Sequence, residues 1–216
     1  MVAALIVLLA GFGVVFYPAA KNALYENEIA QIKEDFLEIP GDNYGALYAF
    51  LKAENERLFQ TGQKGLTDAF SYEQPAVDLS QYGIKDNCIG FINIPCIKIE
   101  LPIYLGANSA NMMKGAVHLT ETSYPIGGQN TNCVIAAHRG QSVRQFRTID
   151  KIQIGDEVIL TNFRETLFYK AVQIKIIDPS DIDKILIQPD RDLITLFSCH
   201  PLGANYQRYV VYCHRV

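Results

Sequence analysis

The sequence predicts a mostly β protein, a closed β-barrel preceded by helices, and three observations support this. From Cys88 onward, short runs of β-branched, aromatic and apolar residues are separated by turn-forming residues. No helical pattern lies regularly between these runs, which argues against an alternating βαβ sheet. Before Cys88, apolar residues instead recur at helical spacing. A chain of 216 residues is long enough for one substantial core and an appendage.

The N-terminal segment is apolar and uncharged from Val2 to Tyr17, and it ends at Pro18. A membrane-spanning helix needs about 20 such residues, whereas the core of a signal peptide has about 7–15. The segment falls between these lengths and no basic residues precede it. Residues 1–18 are therefore predicted to be an N-terminal membrane anchor, clipped at its start, with a cleaved signal peptide as the alternative. Both interpretations place the rest of the protein outside the cytoplasm.

Residues 19–65 are predicted to form N-terminal helices. The first covers Lys21 to Glu38 and the second covers Tyr44 to Gln60, each with apolar residues at helical spacing. Residues 66–86 follow as a polar stretch with little periodicity. A loop of this length beside a compact domain is usually functional or disordered.

Residues 87–216 are predicted to be the barrel. Two strands flank Pro95-Cys96, and a long connection rich in glycine and proline follows from Leu105 to Asn130. The predicted strands cover residues 88–94, 97–104, 131–137, 157–161, 167–177, 193–197 and 208–213.

Three chemically reactive residues lie at the ends of predicted strands. Cys199 ends one strand and Arg208 begins the next, with the turn formers of His200 to Asn205 between them. His138 follows the apolar strand that starts near Cys133. A thiol, an imidazole and a guanidinium in these positions form a plausible set for covalent catalysis.

Composition excludes several other kinds of function. The formal net charge is −4 and no basic patch stands out, so nucleic acid is not an expected partner. The five cysteines form no CxxC pair, so no zinc site is expected, and no acidic cluster suggests calcium. The prediction is therefore that no metal or cofactor takes part. The cysteines other than Cys199 are interpreted as small buried hydrophobes.

Several motifs together resemble those of the sortase family. Thr195-Leu-Phe-Ser-Cys199 resembles the TLxTC motif, with Ser198 in place of the usual threonine. His138-Arg-Gly140 after an apolar strand is similar to the sortase histidine, and Arg208 stands at the position of the sortase arginine. The resemblance covers nearly the whole chain and is strongest to class C, the pilin-polymerising sortases of Gram-positive bacteria.

This resemblance implies an eight-stranded sortase barrel and an extracellular, membrane-anchored cysteine transpeptidase. Sortases cleave an LPXTG-like sorting signal between Thr and Gly, form a thioacyl enzyme and pass the acyl group to an amine. In class C the amine is a lysine side chain of the next pilin subunit. By resemblance, Cys199 is the nucleophile. His138 is the general acid and base, and Arg208 stabilises the oxyanion.

Class C sortases also resemble one another in a lid that plugs the groove through an Asp-Pro-aromatic motif. Here Thr67 to Phe70 has the aspartate and the aromatic residue, with Ala69 in place of proline. Asp68 is expected to accept a charge-assisted hydrogen bond from Arg208, while Phe70 packs on Cys199. The missing proline predicts a less rigid lid.

Three further residues are candidates for the groove. His118 lies in the glycine-rich connection and either lines the groove or has a structural role. Ser198 precedes the nucleophile. His200 either points to the face opposite Cys199 or begins a loop beside the substrate.

Two alternative functions stay open at this level. A cell-wall anchoring sortase would have the same triad but would use an amine of a peptidoglycan precursor. A catalytically inactive module would only hold sorting signals. The lid favours the pilin-type enzyme over the first alternative, and the intact set of Cys199, His138 and Arg208 argues against the second.

Overall fold

Eight strands form one closed barrel in the structure, a computed structural model that describes residues 2–38, 44–68, 77–140 and 144–216, with side chains from residue 11 onward. Around the barrel the order is β1-β2-β3-β4-β7-β8-β6-β5. The strands are β1 Cys88–Ile94, β2 Ile99–Leu105, β3 Ala116–His118, β4 Thr131–Ala136, β5 Glu157–Asn162, β6 Thr166–Ile177, β7 Asp192–His200 and β8 Gln207–Arg215.

The barrel is mixed. The β2–β3 and β4–β7 pairs are parallel, and the other six neighbouring pairs are antiparallel. Closure leaves no long unpaired sheet edge among these strands. The predicted closed, mostly β barrel with N-terminal helices is therefore confirmed.

One strand is absent from the sequence-based prediction. β3 has only three residues and lies inside the stretch that was predicted as a long connection, which also contains a short helix, Ser109–Lys114. Three residues are too few for an alternating pattern to be recognised. β3 forms because the chain returns alongside β2 in a parallel register, with Val117 opposite Tyr104.

The N-terminal segment is one long helix, α1, from Val2 to Leu37, with Pro18 inside it. The helix predicted from Lys21 to Glu38 is therefore the second part of a longer helix that also contains the apolar run. Proline removes one backbone donor from a helix, and the hydrogen bonds on both sides of it continue here. No helix formed by the described residues is long and apolar enough to cross a membrane. The membrane anchor in residues 1–18 stays a prediction.

The helices pack on the outside of the barrel through one apolar side. α1 buries Ile29 and Phe36, and the ring of Phe36 meets that of Phe91 edge-on at 5.5 Å. The second helix, α2, covers Tyr44–Thr61 and buries Leu47 and Leu51. These contacts join the helices to the core of the barrel.

The stretch of residues 66–86 is attached to the core at both ends. Leu66, Leu79 and Ile84 are buried, and a 3₁₀ turn covers Leu79–Tyr82. Residues 69–76 lie outside the described residues. The predicted contact of Phe70 with Cys199 is therefore not addressed by the structure.

Candidate active site

Cys199 and Arg208 lie directly opposite each other in the ladder between β7 and β8. Opposite residues of an antiparallel pair point to the same face of a sheet, so the thiol and the guanidinium share one face. Cys199 is 8 % exposed and Arg208 is 5 % exposed. The hairpin that the sequence predicts between them is present, with both strands longer than expected.

His138 is brought to the same place by the parallel pairing of β4 and β7. Ala136 lies beside Phe197, and the N–H of Ala137 donates to the carbonyl of Phe197 at 3.2 Å. Continuing this register by two residues sets His138 beside Cys199. The Ser198 hydroxyl donates to the carbonyl of Ala137 at 2.7 Å and secures the two strand ends.

The backbone of His138 is held on both sides by the segment that follows it. Its N–H donates to Oε1 of Gln145 at 3.2 Å, and its carbonyl accepts from the N–H of Phe146 at 3.1 Å. Gln145 is itself buried and donates to the carbonyl of Met112 at 3.0 Å. The histidine therefore lies on a fixed backbone, although it follows the last residue of the strand.

Arg208 makes the contact with Asp68 that the resemblance to class C sortases implies. Its Nε and Nη2 donate to the two carboxylate oxygens of Asp68, both at 2.8 Å. Nη1 donates to the carbonyls of Asn205 at 2.6 Å and Gln207 at 3.0 Å. The Asp68 side chain is only 16 % exposed. A bidentate arginine–carboxylate pair with this little exposure is strong and geometrically specific.

Charges around Cys199 act in opposite directions. Burial raises the pKa of the Cys199 thiol, Arg208 lowers it, Asp68 raises it and Arg139 lowers it, and the pKa stays above its ordinary value. Burial also lowers the pKa of His138. These shifts favour a thiol beside a neutral imidazole in this conformation, in which Asp68 occupies the site.

For Arg208, burial by itself lowers the pKa. The hydrogen bond to Asp68 and the charge of that carboxylate more than offset this, so the pKa lies above its ordinary value. The guanidinium is thus a permanent cation at the face that carries Cys199.

The three groove candidates have different surroundings. His118 is buried on β3, and its Nε2 lies 3.1 Å from the carbonyl oxygens of both Thr122 and Ser123. Burial lowers the pKa of His118 to about 4, so the ring is neutral and Nε2 donates to these carbonyls. These contacts hold the loop after β3. Ser198 bridges β7 to β4, as described above.

His200 continues β7 and, by alternation, points away from the face of Cys199. Its Nδ1 lies 3.1 Å from Nη1 of Arg139, and its ring lies 5.8 Å from that of Tyr209. Arg139 is a residue that the sequence reasoning did not single out. It follows His138 directly, and no pattern in the sequence indicates that its side chain is buried.

The five cysteines are all free thiols. Burial raises the pKa of Cys88 to about 12 and also raises those of Cys133 and Cys213 strongly, as expected for small buried hydrophobes. Cys96 is exposed, which differs from the expectation for that residue. In the described ranges, no group of three His, Cys, Asp or Glu side chains is placed to hold a metal ion.

The fold and the site define a class of protein: a closed mixed barrel that carries a thiol, an imidazole and a guanidinium at neighbouring strand ends. The chain belongs to the sortase family, since residues 92–216 match the model of the sortase domain. Sortase D of Bacillus subtilis (strain 168) is 31 % identical over 130 residues, which cover 59 % of this chain and 63 % of that relative. The match thus spans about three fifths of the relative's length.

Solved structures of class C sortases match over most of the chain. Sortase C1 of Streptococcus agalactiae superposes with a TM-score of 0.79 at 28 % identity, covering 88 % of this chain and 97 % of that one. Sortase C2 of the group B Streptococcus pilus island 1 has a TM-score of 0.74 at 34 % identity, covering 82 % and 99 %. Sortase C of Clostridium perfringens SM101 has a TM-score of 0.73 at 30 % identity, covering 88 % and 98 %.

Proposed function

We propose that this sortase is a class C transpeptidase that cleaves an LPXTG-like sorting signal and joins it to a lysine amine of a pilin subunit. One observation carries the proposal: Cys199 and Arg208 share one face of the β7–β8 ladder, and the register of β4 leads His138 to the same point. This set contains a nucleophile, a general acid and base, and a fixed cation for an oxyanion. We also propose a location on the outer face of the membrane, because sortases are cell-surface enzymes of Gram-positive bacteria.

In the first half-reaction, the sulfur of Cys199 attacks the threonine carbonyl of the sorting signal, and the thiol proton passes to His138, which becomes an imidazolium. The Arg208 guanidinium donates hydrogen bonds to the oxygen that becomes negative in the tetrahedral intermediate. As the intermediate collapses, His138 gives a proton to the departing glycine nitrogen and the carbon–nitrogen bond breaks. The products are a thioacyl enzyme and a peptide with a free amino group.

In the second half-reaction, the lysine amine attacks the thioester carbonyl. His138, now neutral, accepts the proton that this nitrogen loses, and the carbon–sulfur bond breaks. A new amide bond forms, and the Cys199 thiolate that is released takes the proton back from His138. The charge of Arg208 serves both steps, because a guanidinium does not lose its proton in the physiological range.

The segment around Asp68 is proposed to be a lid. The Asp68 carboxylate occupies the Nε and Nη2 donors of Arg208, which are the donors that a substrate carbonyl would need. The carboxylate also raises the pKa of Cys199. With the lid in place, the cation is occupied and the thiol is kept protonated, so substrate entry requires the ion pair to open.

The choice of a pilin lysine as acceptor is supported by two of the similar structures, which are sortases of pilus systems. One is described as a pilus-related sortase C of group B Streptococcus and another as sortase C1 of the pilus island 1 of that organism. Curated relatives also include sortase A of Listeria monocytogenes, at 28 % identity over 126 residues. A cell-wall type acceptor is therefore the alternative that the acceptor experiment must separate.

The catalytic part is tested by incubating the protein with an LPXTG-type peptide and recording its intact mass, with Cys199→Ala as the control. We expect an acyl adduct that requires Cys199 and forms faster in Asp68→Ala. The acceptor is then tested by adding a peptide with a single lysine, or a diamino peptide of peptidoglycan type, in parallel samples. Preferential transfer to the lysine peptide would support the pilin-type assignment, and preferential transfer to the other amine would support the cell-wall alternative. An inactive binding module would form no adduct in any variant.

A further inference from the structure

Arg139 is a buried cation behind the proposed catalytic residues. Its side chain is 3 % exposed, and Nη2 forms an ion pair with Oδ1 of Asp150 at 3.0 Å. Nη1 donates to Nδ1 of His200 at 3.1 Å, and the guanidinium lies over the ring of Tyr209, 5.5 Å from its centroid. Three parts of the chain thus hold one side chain: β7, β8 and the 3₁₀ helix Phe146–Lys151.

The position of this cluster relative to the reacting groups follows from strand alternation. Tyr209 lies opposite Ser198 in the β7–β8 ladder, one step from the pair of Cys199 and Arg208. Tyr209 and His200 therefore point to the other face of the sheet from Cys199. Arg139 bonds to His200 on this rear face.

The two residues that form this hydrogen bond each directly follow a proposed catalytic residue in the sequence. Arg139 immediately follows His138, and His200 immediately follows Cys199. The hydrogen bond between Arg139 and His200 therefore ties together the chain segments that carry the proposed acid–base group and the proposed nucleophile. It lies beyond the last residue pair of the β4–β7 ladder, Ala136 and Phe197, and beyond the backbone hydrogen bond from Ala137 to Phe197, so it adds a side-chain link past the end of the backbone pairing.

We propose that Arg139 is a positioning residue of the transpeptidation, which holds His138 and Cys199 at a fixed offset through its bond to His200. This inference rests on the proposed function and extends it to a residue outside the triad. A misplacement of about 1 Å between reacting groups costs about a hundredfold in rate. A link at the open end of the strand pair is thus able to affect turnover without touching the substrate.

The choice of residue type supports a role beyond packing. Burying a guanidinium costs free energy unless its donors are satisfied, and an apolar side chain would fill the same space more cheaply. The planar fork of arginine reaches Asp150 and His200 with two different nitrogens. Lysine carries the same charge but concentrates it at one nitrogen, so it does not reproduce this geometry.

Arg139 also acts on Cys199 through its charge. It lowers the pKa of the thiol, as Arg208 does, whereas Asp68 raises it. Around Arg139 itself the charged and titratable groups are Asp150, His200 and Tyr209. Substitutions of Arg139 can separate its effect on the positions of His138 and Cys199 from the effect of its charge on the Cys199 thiol.

The test compares Arg139→Gln and Arg139→Lys with the wild type in two assays. Peptide cleavage gives kcat and KM per reactive thiol, and the rate of Cys199 alkylation by iodoacetamide is recorded against pH without any substrate. For Arg139→Gln we expect kcat to fall about tenfold to a hundredfold with KM changed less than about twofold. We also expect about threefold to tenfold slower alkylation at neutral pH. Arg139→Lys should restore the alkylation profile while kcat stays low.

Asp150→Asn provides a second variant that leaves Arg139 in place and removes the charge of its ion-pair partner at a side chain that is 48 % exposed. Removal of this anion leaves more positive charge near Cys199, so thiolate formation should not slow. The positioning role predicts that kcat nevertheless falls about threefold to tenfold, since Arg139 loses the partner that orients it. A lower kcat together with an alkylation rate that does not fall would be specific to a positioning role. Arg191→Gln, which removes an exposed arginine elsewhere in the chain, is the matched control and should behave like the wild type.

Several results would overturn the proposal. One is a kcat per reactive thiol within twofold of wild type in both Arg139→Gln and Asp150→Asn, even if the melting temperature falls, since that would indicate a purely structural role. Full recovery of kcat in Arg139→Lys would show that charge alone matters. If the wild type forms no acyl adduct, the proposed function fails separately. An unchanged alkylation profile in Arg139→Gln would then remove the remaining support for any action of Arg139 on Cys199.

Discussion

Removal of the Asp68 carboxylate is predicted to expose Cys199. In the structure, Asp68 binds Arg208 through two hydrogen bonds of 2.8 Å and raises the pKa of the neighbouring thiol. Asp68→Ala removes both effects. We expect faster alkylation of Cys199 because the lid opens more often and because the pKa of the thiol is lower.

The size of the effect follows from the burial of the ion pair. The side chains of Arg208 and Asp68 are 6 % and 16 % exposed, so the value of about 0–1 kcal/mol for a surface pair is too low here. Hydrogen bonds to a charged group contribute about 1.5–3 kcal/mol. Because about 1.4 kcal/mol corresponds to a factor of ten, the open population should rise about tenfold to a hundredfold.

The assay is the second-order rate of iodoacetamide labelling, followed by intact mass from acidic to alkaline pH. Loss of the anion should move the midpoint of the profile to lower pH, and lid opening should also raise the rate on the alkaline plateau. Asp68→Asn keeps the shape of the side chain without its charge and should give an intermediate rate. Asp35→Ala removes an exposed carboxylate on α1 and serves as the control. A rate for Asp68→Ala within twofold of wild type would refute the lid.

Two other predictions concern stability. The pKa of His118 is lowered from 6.5 to about 4 by burial, so the unfolded chain binds more protons between these values. His118 therefore lowers the free energy of unfolding progressively as pH falls from 6.5 to 4, by about 3 kcal/mol at pH 4. In urea unfolding, the stability of His118→Gln should fall less steeply than that of the wild type over this pH range. An equally steep fall in both proteins would contradict this. A Cβ added to Gly90 would lie 2.4 Å from the carbonyl oxygen of Thr161, so Gly90→Ala should cost about 1–3 kcal/mol or more. The exposed helical Gly45 has nothing within 4 Å of an added Cβ, so Gly45→Ala should instead stabilise the protein by about 0.5–1 kcal/mol. Urea unfolding measures both changes, and equal changes in the free energy of unfolding for Gly90→Ala and Gly45→Ala would contradict the packing argument.

The sequence was sufficient for the strands that have a regular pattern. β1 matches its predicted bounds, Cys88 to Ile94, because its β-branched and aromatic residues end at Pro95. β7 runs to His200, three residues beyond its predicted end, because its pairing with β8 continues past the apolar run. β3 could not be found, since three residues carry no periodicity and its partner β2 lies earlier in the chain.

The candidate site was predicted unevenly for similar reasons. Cys199 and Arg208 are near each other in sequence and across one hairpin, so their pairing follows from local structure. The contact between Asp68 and Arg208 spans 140 residues and was expected only through the resemblance to class C sortases. The burial of Arg139 depends on Asp150 and Tyr209, which come from two other segments. A single sequence does not indicate that these separate segments come into contact.

The most direct test of the account is the intact mass of the protein after incubation with an LPXTG-type peptide. We expect a mass increase equal to the part of the peptide that ends at its threonine, bound as an acyl group. Treatment with hydroxylamine should remove this mass, because hydroxylamine cleaves thioesters. The adduct should be absent from Cys199→Ala and should accumulate faster in Asp68→Ala. No adduct in the wild type or in Asp68→Ala, while Cys199 is still alkylated by iodoacetamide, would contradict the proposed transpeptidase.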